Sequence, residues 1–248
     1  MTQSTAPAPG PVATPGTEAA RVAVSTVIFS LRRTDDAASS DLVLPLVRRT
    51  RDPFDGSWAL PGGWLDPTEG LDAAASRTLA ETTGLSASYL EQLYAFGAVD
   101  RSPTRVVSIV YWALLRADEV DAQVAAHALS ADAPENVAWF DVAALPQLAF
   151  DHNAIVDYAL WRLRSKVGYS RIAHGLLSPE FTLAELREVY ESILSRKLDP
   201  ANFRRQVENS GTLFPTDRFR TGSHRPARLY RYDPDVELAE RGPLTARH

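Results

Sequence analysis

The stretch that decides the fold covers residues 57–85 and reads SWALPGGWLDPTEGLDAAASRTLAETTGL. Its first part, SWALPGG, predicts a short strand that ends at two glycines. The segment after Trp64 begins with the turn residues of LDPTEG and then becomes rich in alanine, which has the highest helix propensity. Gly84 is placed to end this helix, because glycine readily adopts the left-handed conformation at a helix C-terminus. The stretch therefore predicts a strand, a loop and a helix in that order.

Apolar, β-branched segments flank this unit on both sides and predict the strands of a sheet. They cover residues 22–32, 42–47, 93–99, 106–115 and 137–141. A helical pattern follows over residues 152–166. Strands mixed with helices in this way indicate an α/β domain over residues 21–150, followed by a connecting helix over residues 151–166.

The composition excludes several classes of protein. The 248 residues are 45% hydrophobic, which is enough for a sizeable core, and include no cysteine, which excludes disulfides and thiol chemistry. The longest strongly apolar stretch, VVSIVYWALL, has ten residues, whereas a membrane-spanning helix needs about 20. The N-terminus lacks the basic and apolar parts of a signal peptide. We therefore predict a cytoplasmic protein without membrane contact, with a disordered tail at residues 1–20 and a flexible tail at residues 235–248.

Charge is distributed unevenly along the chain. Residues 1–150 contain 10 basic and 18 acidic side chains, whereas residues 151–248 contain 16 basic and 13 acidic ones. Within residues 201–232, seven arginines accompany two carboxylates. Such clustering suits binding to a phosphate backbone, although a solvated basic face would show the same charge.

A second, smaller domain follows the connecting helix. Thr182 and Glu185 form a capping box at the start of one amphipathic helix. In LDPANFRRQVENSG, Asp199 is placed as the N-cap of a second helix, and Gly211 is placed as its end. LFPTDRFR and ARLYRY then flank the turn-rich segment TGSHRP. The order of helix, helix and β-hairpin is that of a winged helix-turn-helix, in which the second helix enters the major groove of DNA.

The second helix of this domain, which we place at residues 167–234, has one free face. Phe203 and Val207 share the face that packs inward. The outward-facing side chains include asparagine and arginine, which can read adenine and guanine edges. The hairpin carries cations suited to phosphate or minor-groove contacts. The predicted DNA-binding residues are Asn202, Arg204, Arg205, Asn209, Arg218, Arg220, His224, Arg225 and Arg228.

Residues 63–85 resemble the signature of the Nudix hydrolases, G-x5-E-x7-R-E-U-x-E-E-x-G-U, in which U is aliphatic. The matching positions are Gly63, Glu69, Arg77, Leu79, Glu81, Gly84 and Leu85. The resemblance covers residues 21–150 and implies an α/β/α sandwich in which the signature forms a loop and a helix. The predicted fold class is therefore an α/β Nudix-like sandwich followed by a smaller C-terminal winged helix-turn-helix domain.

Two mismatches to this signature, Thr78 and Thr82, occupy positions where the family has carboxylates. In the family, carboxylates at these places hold the magnesium ions that clamp a diphosphate and activate water. On a helix, positions 78, 81 and 82 share one face, and a neutral hydroxyl does not replace an anionic ligand of Mg²⁺. We therefore predict no catalytic residue, no metal site and no required cofactor, although Glu69 and Glu81 leave weak binding of one ion open.

The cleft beside the signature helix would remain as a ligand site, where cationic side chains could hold a diphosphate. The predicted ligand-binding residues are Arg48, Arg49, Arg51, Glu69, Arg77, Glu81, Asp100 and Arg101. For Arg77 and Glu81, an i,i+4 ion pair is preferred over a catalytic role. His152 either caps its helix or contacts a ligand. Trp58, Trp64, Trp112 and Trp139 are expected in the core unless one of them stacks on an adenine.

An altered Nudix signature followed by two helices and a wing resembles the Nudix-related transcriptional regulators of NAD metabolism, the NrtR family. The resemblance is most specific in EFTLAELREVYESILSRKLDPANFRRQVENSG and RPARLYRY. It implies a homodimeric repressor of genes for NAD synthesis or salvage, which binds double-stranded palindromic operator DNA. It also implies that the Nudix domain senses a nucleotide effector, ADP-ribose or NAD, and does not hydrolyse it.

Two other interpretations remain open. An active Nudix diphosphatase, acting on ADP-ribose or a related nucleoside diphosphate derivative, would have the full set of catalytic carboxylates, two of which are missing here. A structural or protein-binding winged helix beside a relic Nudix domain would have no arginine bias on its helix and wing. The sequence therefore favours the repressor.

Overall fold

The structure is a computed structural model that describes residues 19–33, 40–88, 90–128, 136–167, 172–221 and 226–232. Apart from residues 19 and 20, the two predicted tails lie outside these ranges. No helix within the described ranges is long and apolar enough to cross a membrane.

The described residues form an N-terminal and a C-terminal group of elements. The N-terminal strands are β1 (Arg21–Arg33), β2 (Ser40–Arg48), β3 (Trp58–Ala59), β4 (Gly62–Trp64), β5 (Glu91–Phe96), β6 (Val106–Leu114) and β7 (Val137–Asp141). The N-terminal helices are α1 (Leu71–Thr83), α2 (Ala117–Ala128) and α3 (His152–Val167). The C-terminal group has α4 (Leu183–Leu194), α5 (Pro200–Asn209), β8 (Leu213–Arg220) and β9 (Ala227–Tyr232). Short 3-10 turns lie at Val142–Ala144 and Ile172–Leu176.

Strand β1 is the centre of a seven-stranded mixed sheet, with β6 parallel beside it and β5 next to β6. On its other side, β1 pairs with β4 at residues 23–25 and with β2 at residues 30–33, both antiparallel. Gly62 permits the close approach of β4, because a Cβ at this position would collide with the carbonyl oxygen of Val24. Since the partner changes midway along β1, the sheet opens between β4 and β2.

The side chains of β1 alternate between two apolar layers, as the pleat of a strand requires. Val24 and Ile28 pack towards α1 and α2, whereas Val27 and Phe29 pack towards α3. The sheet therefore lies between two helical layers, which confirms the predicted α/β/α sandwich.

The C-terminal helices begin as their sequences predict. Thr182 caps α4 in a complete capping box, in which the backbone N–H of Thr182 donates to the carboxylate of Glu185 at 2.8 Å. Asp199 caps α5, and Pro200 is the first residue of that helix. With the β8–β9 hairpin, these helices form the predicted winged helix-turn-helix.

Two local details differ from the prediction. Helix α2 was not predicted, and its segment has a weak apolar pattern in which Val120 is the buried residue. Gly211 was expected to end α5, but Ser210 is the C-cap and has a right-handed conformation. Gly211 follows with a φ of 65°, so the glycine turns the chain one residue after the cap.

One apolar cluster runs through both domains. Ile155 and Leu163 of α3 are fully buried and belong to the same cluster as the α3-facing side chains of β1. The cluster continues into the C-terminal domain through Leu186, Ile193 and Phe203. The two domains therefore share a core, and α3 lies within it.

Candidate functional site

A cleft of about 910 Å³ opens between β2 and β4, where the partner of β1 changes from one strand to the other. This volume is typical of sites for small molecules of nucleotide size. The predicted ligand-binding residues that line the cleft are Arg48, Arg49, Arg51, Glu81 and Arg101. Glu69 and Arg77 line an adjoining depression. Asp100 is exposed and belongs to neither lining.

The loop that follows β2 is held by arginine side chains of the cleft. Arg49 donates from Nε to the carbonyl oxygen of Pro53 at 2.8 Å, and its guanidinium lies 4.8 Å from the ring centre of Phe150. Burial lowers the pKa of Arg49 from its ordinary value, and the carboxylate of Asp55 opposes this shift. Arg48 donates to another carbonyl of the loop at 3.1 Å. The loop therefore brings fixed positive charge to one wall of the cleft.

Arg101 is anchored in the cleft wall. Its side chain is 4% exposed and forms a bidentate ion pair with Asp151 at 2.6 and 2.9 Å. It also donates to the hydroxyl of Ser108 at 2.8 Å. Asp151 immediately precedes α3, so the pair ties the segment before β6 to the start of that helix. Because the charge of Arg101 is partly neutralised, its main contribution here is to the shape of the cleft.

Arg77 lies between the two remaining carboxylates of the signature. It pairs with Glu69 at 2.5 and 2.9 Å and with Glu81 at 3.0 Å, and it donates to the carbonyl oxygen of Trp64 at 3.1 Å. Hydrogen bonding to Arg77 lowers the pKa of Glu69, and the same contact raises the pKa of Arg77. The predicted i,i+4 pair between Arg77 and Glu81 is present, and Glu69 is an additional partner.

The hydroxyl groups of Thr78 and Thr82 are engaged within α1. Thr78 is 1% exposed and donates to the carbonyl oxygen of Ala75 at 3.3 Å, while Thr82 donates to that of Thr78 at 2.6 Å. The expected convergence of positions 78, 81 and 82 is wrong for Thr78, because this side chain is buried against Gly63. Glu81 and Thr82 do line the cleft.

These residues do not fit the magnesium site of the Nudix hydrolases. Mg²⁺ needs an octahedral set of oxygens, usually with carboxylates among them. Glu69 and Glu81 are both paired with Arg77, and the threonine hydroxyls bond to helix carbonyls. Among the described residues, no group of three or more His, Cys, Asp or Glu side chains could hold a metal ion.

His152 begins α3 inside the cleft wall and is 7% exposed. Its Nδ1 accepts a hydrogen bond from the backbone N–H of Leu60 at 2.9 Å. The side chain therefore links α3 to the segment between β3 and β4 and does not cap its own helix. Burial is the main cause that lowers the pKa of His152 to about 4; Asp151 opposes this effect, and Arg101 adds to it. The ring is consequently neutral near pH 7.

Trp64 was expected to pack in the core, and this expectation is wrong. Its side chain is 45% exposed and lines both the cleft and the adjoining depression. The guanidinium of Arg21 covers one face of the ring at 3.6 Å from its centre. Trp112, in contrast, is buried as expected.

Helix α5 presents a polar face to solvent. Phe203 is buried and packs edge-on against Tyr190, with ring centres 5.3 Å apart, which fixes the rotation of the helix. Arg205 donates to the side-chain oxygen of Asn202 at 2.6 Å, and Arg204 pairs with a carboxylate one turn later at 2.9 Å. The predicted DNA-binding residues of this helix are all exposed: Asn202, Arg204, Arg205 and Asn209.

Two arginines of the hairpin pair with carboxylates at the start of α4. Arg218 lies 2.9 Å from Glu180, and Arg220 pairs with Glu185 of the capping box. All four side chains are at least partly open to solvent. A DNA phosphate would therefore compete with a carboxylate at each of these arginines.

The other predicted wing residues differ in their surroundings. Arg228 is exposed and donates to the carbonyl oxygen of Thr216 at 3.0 Å. Its nearest carboxylate, that of Asp217, is 3.8 Å away and fully open to solvent. His224 and Arg225 lie outside the described residues.

Sequence reasoning missed several partners in these sites. Asp151 is separated from Arg101 by 50 residues. In the sequence it is recognisable only as a residue next to the start of a helix, so nothing local predicts its pair with Arg101. The sequence identifies Glu185 as part of a capping box, but no nearby residue indicates that it also pairs with Arg220 of the hairpin. The pair between Glu180 and Arg218 likewise depends on where the hairpin lies in the fold, which the sequence does not indicate.

A sheet between two helical layers, with a nucleotide-sized cleft and a core shared with a winged helix, defines a Nudix-type protein with an appended winged helix domain. Residues 21–159 match the NUDIX domain family, and residues 173–232 match the NrtR DNA-binding winged helix domain. The chain belongs to the NrtR family.

The chain is similar to several proteins over one or both of its domains. The ADPR responsive transcriptional repressor NtrR of Acinetobacter baylyi is 34% identical over 214 residues, which cover 84% of this chain and 80% of the relative. The crystal structure of Shewanella oneidensis NrtR complexed with a 27mer DNA is 35% identical, with a TM-score of 0.70, and the match covers 86% of this chain and 94% of that chain. The ADP-ribose pyrophosphatase of Methanocaldococcus jannaschii is 33% identical over 130 residues, which cover 52% of this chain and 72% of the relative.

The buried histidine makes the stability of the folded protein depend on pH. The pKa of His152 is about 4 in the folded protein and about 6.5 in an unfolded chain, so between these values the unfolded chain binds the extra proton. The free energy of unfolding should be fully retained above about pH 6.5 and should fall by about 1.4 kcal/mol per unit as the pH drops towards 4.

Urea unfolding of the wild type and of His152→Asn at about pH 5 and about pH 7.5 measures this effect. Asparagine can still accept from the N–H of Leu60 but does not titrate, so the variant should lack this part of the pH dependence. An equal pH dependence in both proteins would show that His152 is not held neutral by burial.

Proposed function

We propose that this protein is a transcriptional repressor of genes for NAD synthesis or salvage, and that ADP-ribose or a related nucleotide regulates it through the Nudix domain. The observation that carries this proposal is the shared apolar core, which joins a nucleotide-sized cleft to a winged helix with an exposed arginine and asparagine face. The names of the Acinetobacter repressor and of the Shewanella DNA complex support the proposal.

The cleft supplies suitable groups for a nucleoside diphosphate. Arg48, Arg49 and Arg51 belong to its lining, and arginines bind phosphate oxygens through charge-assisted hydrogen bonds. Trp64 exposes its indole at the same cleft and offers an aromatic surface for an adenine. ADP-ribose is the first candidate, and NAD, which contains the same ADP-ribose unit, is the second.

Helix α3 provides a physical route from the cleft to the DNA-binding domain. Its first residue, His152, lines the cleft. Near its other end, Arg164 donates to the carbonyl oxygen of Ile193 and to the hydroxyl of Ser195, both at 2.9 Å. These two residues end α4, and α5 follows after a short connection. A ligand that favours one position of α3 therefore biases the placement of α4 and α5.

The experiment that tests this function titrates ADP-ribose into the protein bound to DNA from upstream of its own gene. We expect ADP-ribose to weaken operator binding, and by linkage the operator should lower the affinity for ADP-ribose by the same factor. Calorimetry on the free protein measures nucleotide binding separately, with NAD as the second ligand. Unchanged operator affinity at saturating ADP-ribose, together with no heat of binding, would leave the Nudix domain as a scaffold only.

A Nudix diphosphatase acting on ADP-ribose is the second candidate function, and the similarity to the ADP-ribose pyrophosphatase of Methanocaldococcus jannaschii favours it. The site argues against it, because the carboxylates of Glu69 and Glu81 are paired with Arg77. The hydroxyl of Thr82 is likewise used by a helix carbonyl. The charge stabilisation that a metal-bound diphosphate needs in the transition state then has no source.

We expect negligible hydrolysis of ADP-ribose by the purified protein with Mg²⁺ or Mn²⁺, measured by chromatography of the nucleotide products. Glu81→Gln is the matched control, because it removes one of the two remaining signature carboxylates with little change in shape. Efficient turnover by the wild type that is lost in Glu81→Gln would establish the diphosphatase in place of the sensor.

The protein is proposed to bind DNA as a homodimer. Its proposed location is the cytoplasm. A winged helix bound through its second helix reads a short half-site, and a twofold dimer then reads a palindromic operator. Within each copy, Asn202 and Arg205 are proposed to contact base edges. The remaining exposed arginines of α5 and the hairpin, Arg204, Arg218, Arg220 and Arg228, are proposed to contact phosphates, together with His224 and Arg225. Asn209 is proposed, like Asn202, to be able to read a base edge.

Arg205→Ala and Arg228→Ala should affect DNA binding differently. Arg205→Ala should cost about 1 to 3 kcal/mol on the operator and relax the sequence preference at one base pair of each half-site. Arg228→Ala should weaken operator and scrambled DNA alike and reduce the slope of log K against log salt by about 0.9 per contact, or about twice that in a dimer.

Salt titrations of both variants on operator and scrambled duplexes measure these effects. Equal losses on the two duplexes for Arg205→Ala, with an operator-specific loss for Arg228→Ala, would reverse the roles of helix and wing. Wild-type behaviour of both variants would show that DNA binds through another face.

A further inference from the structure

His152 is a buried polar side chain in the cleft wall that holds one hydrogen bond and leaves the other ring nitrogen free. Its Nδ1 accepts from the N–H of Leu60 at 2.9 Å, and among the described residues its Nε2 has no hydrogen-bond partner. The residue is 7% exposed and belongs to the lining of the cleft. Among the described residues, the fully buried side-chain nitrogens and oxygens that lack a partner do not include this Nε2, so it lies at the surface of the cleft and is open to a ligand there.

The contact with Leu60 fixes the tautomer of the ring. A backbone N–H can only donate, so the Nδ1 that faces it carries no proton, and a neutral imidazole must then carry its proton on Nε2. Burial keeps the ring neutral by lowering the pKa of His152 to about 4; Asp151 opposes this shift, and Arg101 and Arg49 support it. The cleft therefore contains a neutral N–H donor in one fixed orientation.

The surroundings of this donor favour an anionic oxygen as its acceptor. Arg49, with its guanidinium against Phe150, and Arg101 are near enough to lower the pKa of His152, so positive charge lies on the same wall. Asp151 is occupied by its ion pair with Arg101. A phosphate oxygen beside His152 would therefore contact a neutral donor and lie near at least one cation. The carboxylate of Asp151 would not repel it strongly, because this carboxylate is paired with Arg101.

We propose that His152 is a ligand-binding residue that donates its Nε2–H to a phosphate oxygen of the bound nucleotide. The inference rests on the proposed function, and it adds to nucleotide binding a contact residue that lies outside the Nudix signature. Because the donor is neutral and its tautomer is fixed by Leu60, its contribution to binding does not change between about pH 6 and about pH 8. The hydrogen bond also brings the ligand to the first turn of α3, the helix whose other end contacts α4.

Two variants separate the ligand contact from the structural one. In His152→Asn, the amide oxygen lies near the former Nδ1 and can accept from Leu60, while the donor at the Nε2 position is lost. In His152→Gln, the longer amide reaches the Nε2 position and can donate, while the acceptor for Leu60 is lost. We expect His152→Asn to keep a melting temperature near that of the wild type at pH 7.5 and to bind ADP-ribose about 10 to 100 times more weakly. His152→Gln should lose stability but retain more of the affinity for ADP-ribose.

Calorimetry with ADP-ribose, ADP and adenosine, combined with ¹⁵N NMR of the His152 ring, tests the proposal. In the wild type, the spectrum should show a protonated Nε2 whose signal shifts on addition of ADP-ribose or ADP and stays in place with adenosine. Equal ADP-ribose affinity of the wild type and His152→Asn, with an unshifted Nε2 signal, would overturn the role of His152 and leave the nucleotide sensor standing. If the wild type binds no ADP-ribose and its Nε2 signal does not respond, both the sensor and this contact are overturned.

Discussion

The buried face of helix α3 is the feature on which both candidate sites depend, because it belongs to the cores of both domains. Ile155 and Leu163 are fully buried, in a cluster that extends from β1 to α4 and α5. Burial of one such side chain stabilises the fold by about 1.5 to 3 kcal/mol, so several together hold the domains in one arrangement. Asp151 and Arg164 add polar contacts at the two ends of the helix. In a close-packed interior, a shift at one end of α3 must be accommodated at the other.

In both sites, some of the arginines are paired with carboxylates. Exposed pairs such as Arg218 with Glu180 contribute at most about 1 kcal/mol, so a phosphate can replace the carboxylate at little cost. The pair of Arg101 and Asp151 is different, because the arginine is buried and breaking the pair would leave an uncompensated charge. The exposed arginines are therefore suited to exchange between partners, whereas Arg101 is suited to hold the cleft in shape.

The parts of this fold that could be predicted from the sequence are those fixed by local interactions. The capping box of Thr182 and Glu185 and the left-handed C-cap at Gly84 involve residues a few positions apart, and the structure confirms both. The exposure of Trp64 depends on where β4 meets the sheet, and the partner of His152 is a backbone N–H 92 residues away in the sequence. Periodicity and composition contain no information on such distant contacts, so these features required the structure.

A nucleotide sensor and a nucleotide hydrolase make opposite demands on the same cleft. A hydrolase must bind the transition state more tightly than the substrate, whereas a sensor must bind the unchanged ligand differently in two protein states. In this cleft the groups suited to ground-state binding are present, namely the arginines of the loop after β2 and the donor at His152. The signature carboxylates have another use, because Arg77 connects Glu69, Glu81 and the carbonyl oxygen of Trp64 and so ties the loop before α1 to the helix itself. Glu69 and Glu81 thus stabilise the loop and the helix beside the cleft through Arg77, and in the proposed function a ligand held in the cleft biases α3.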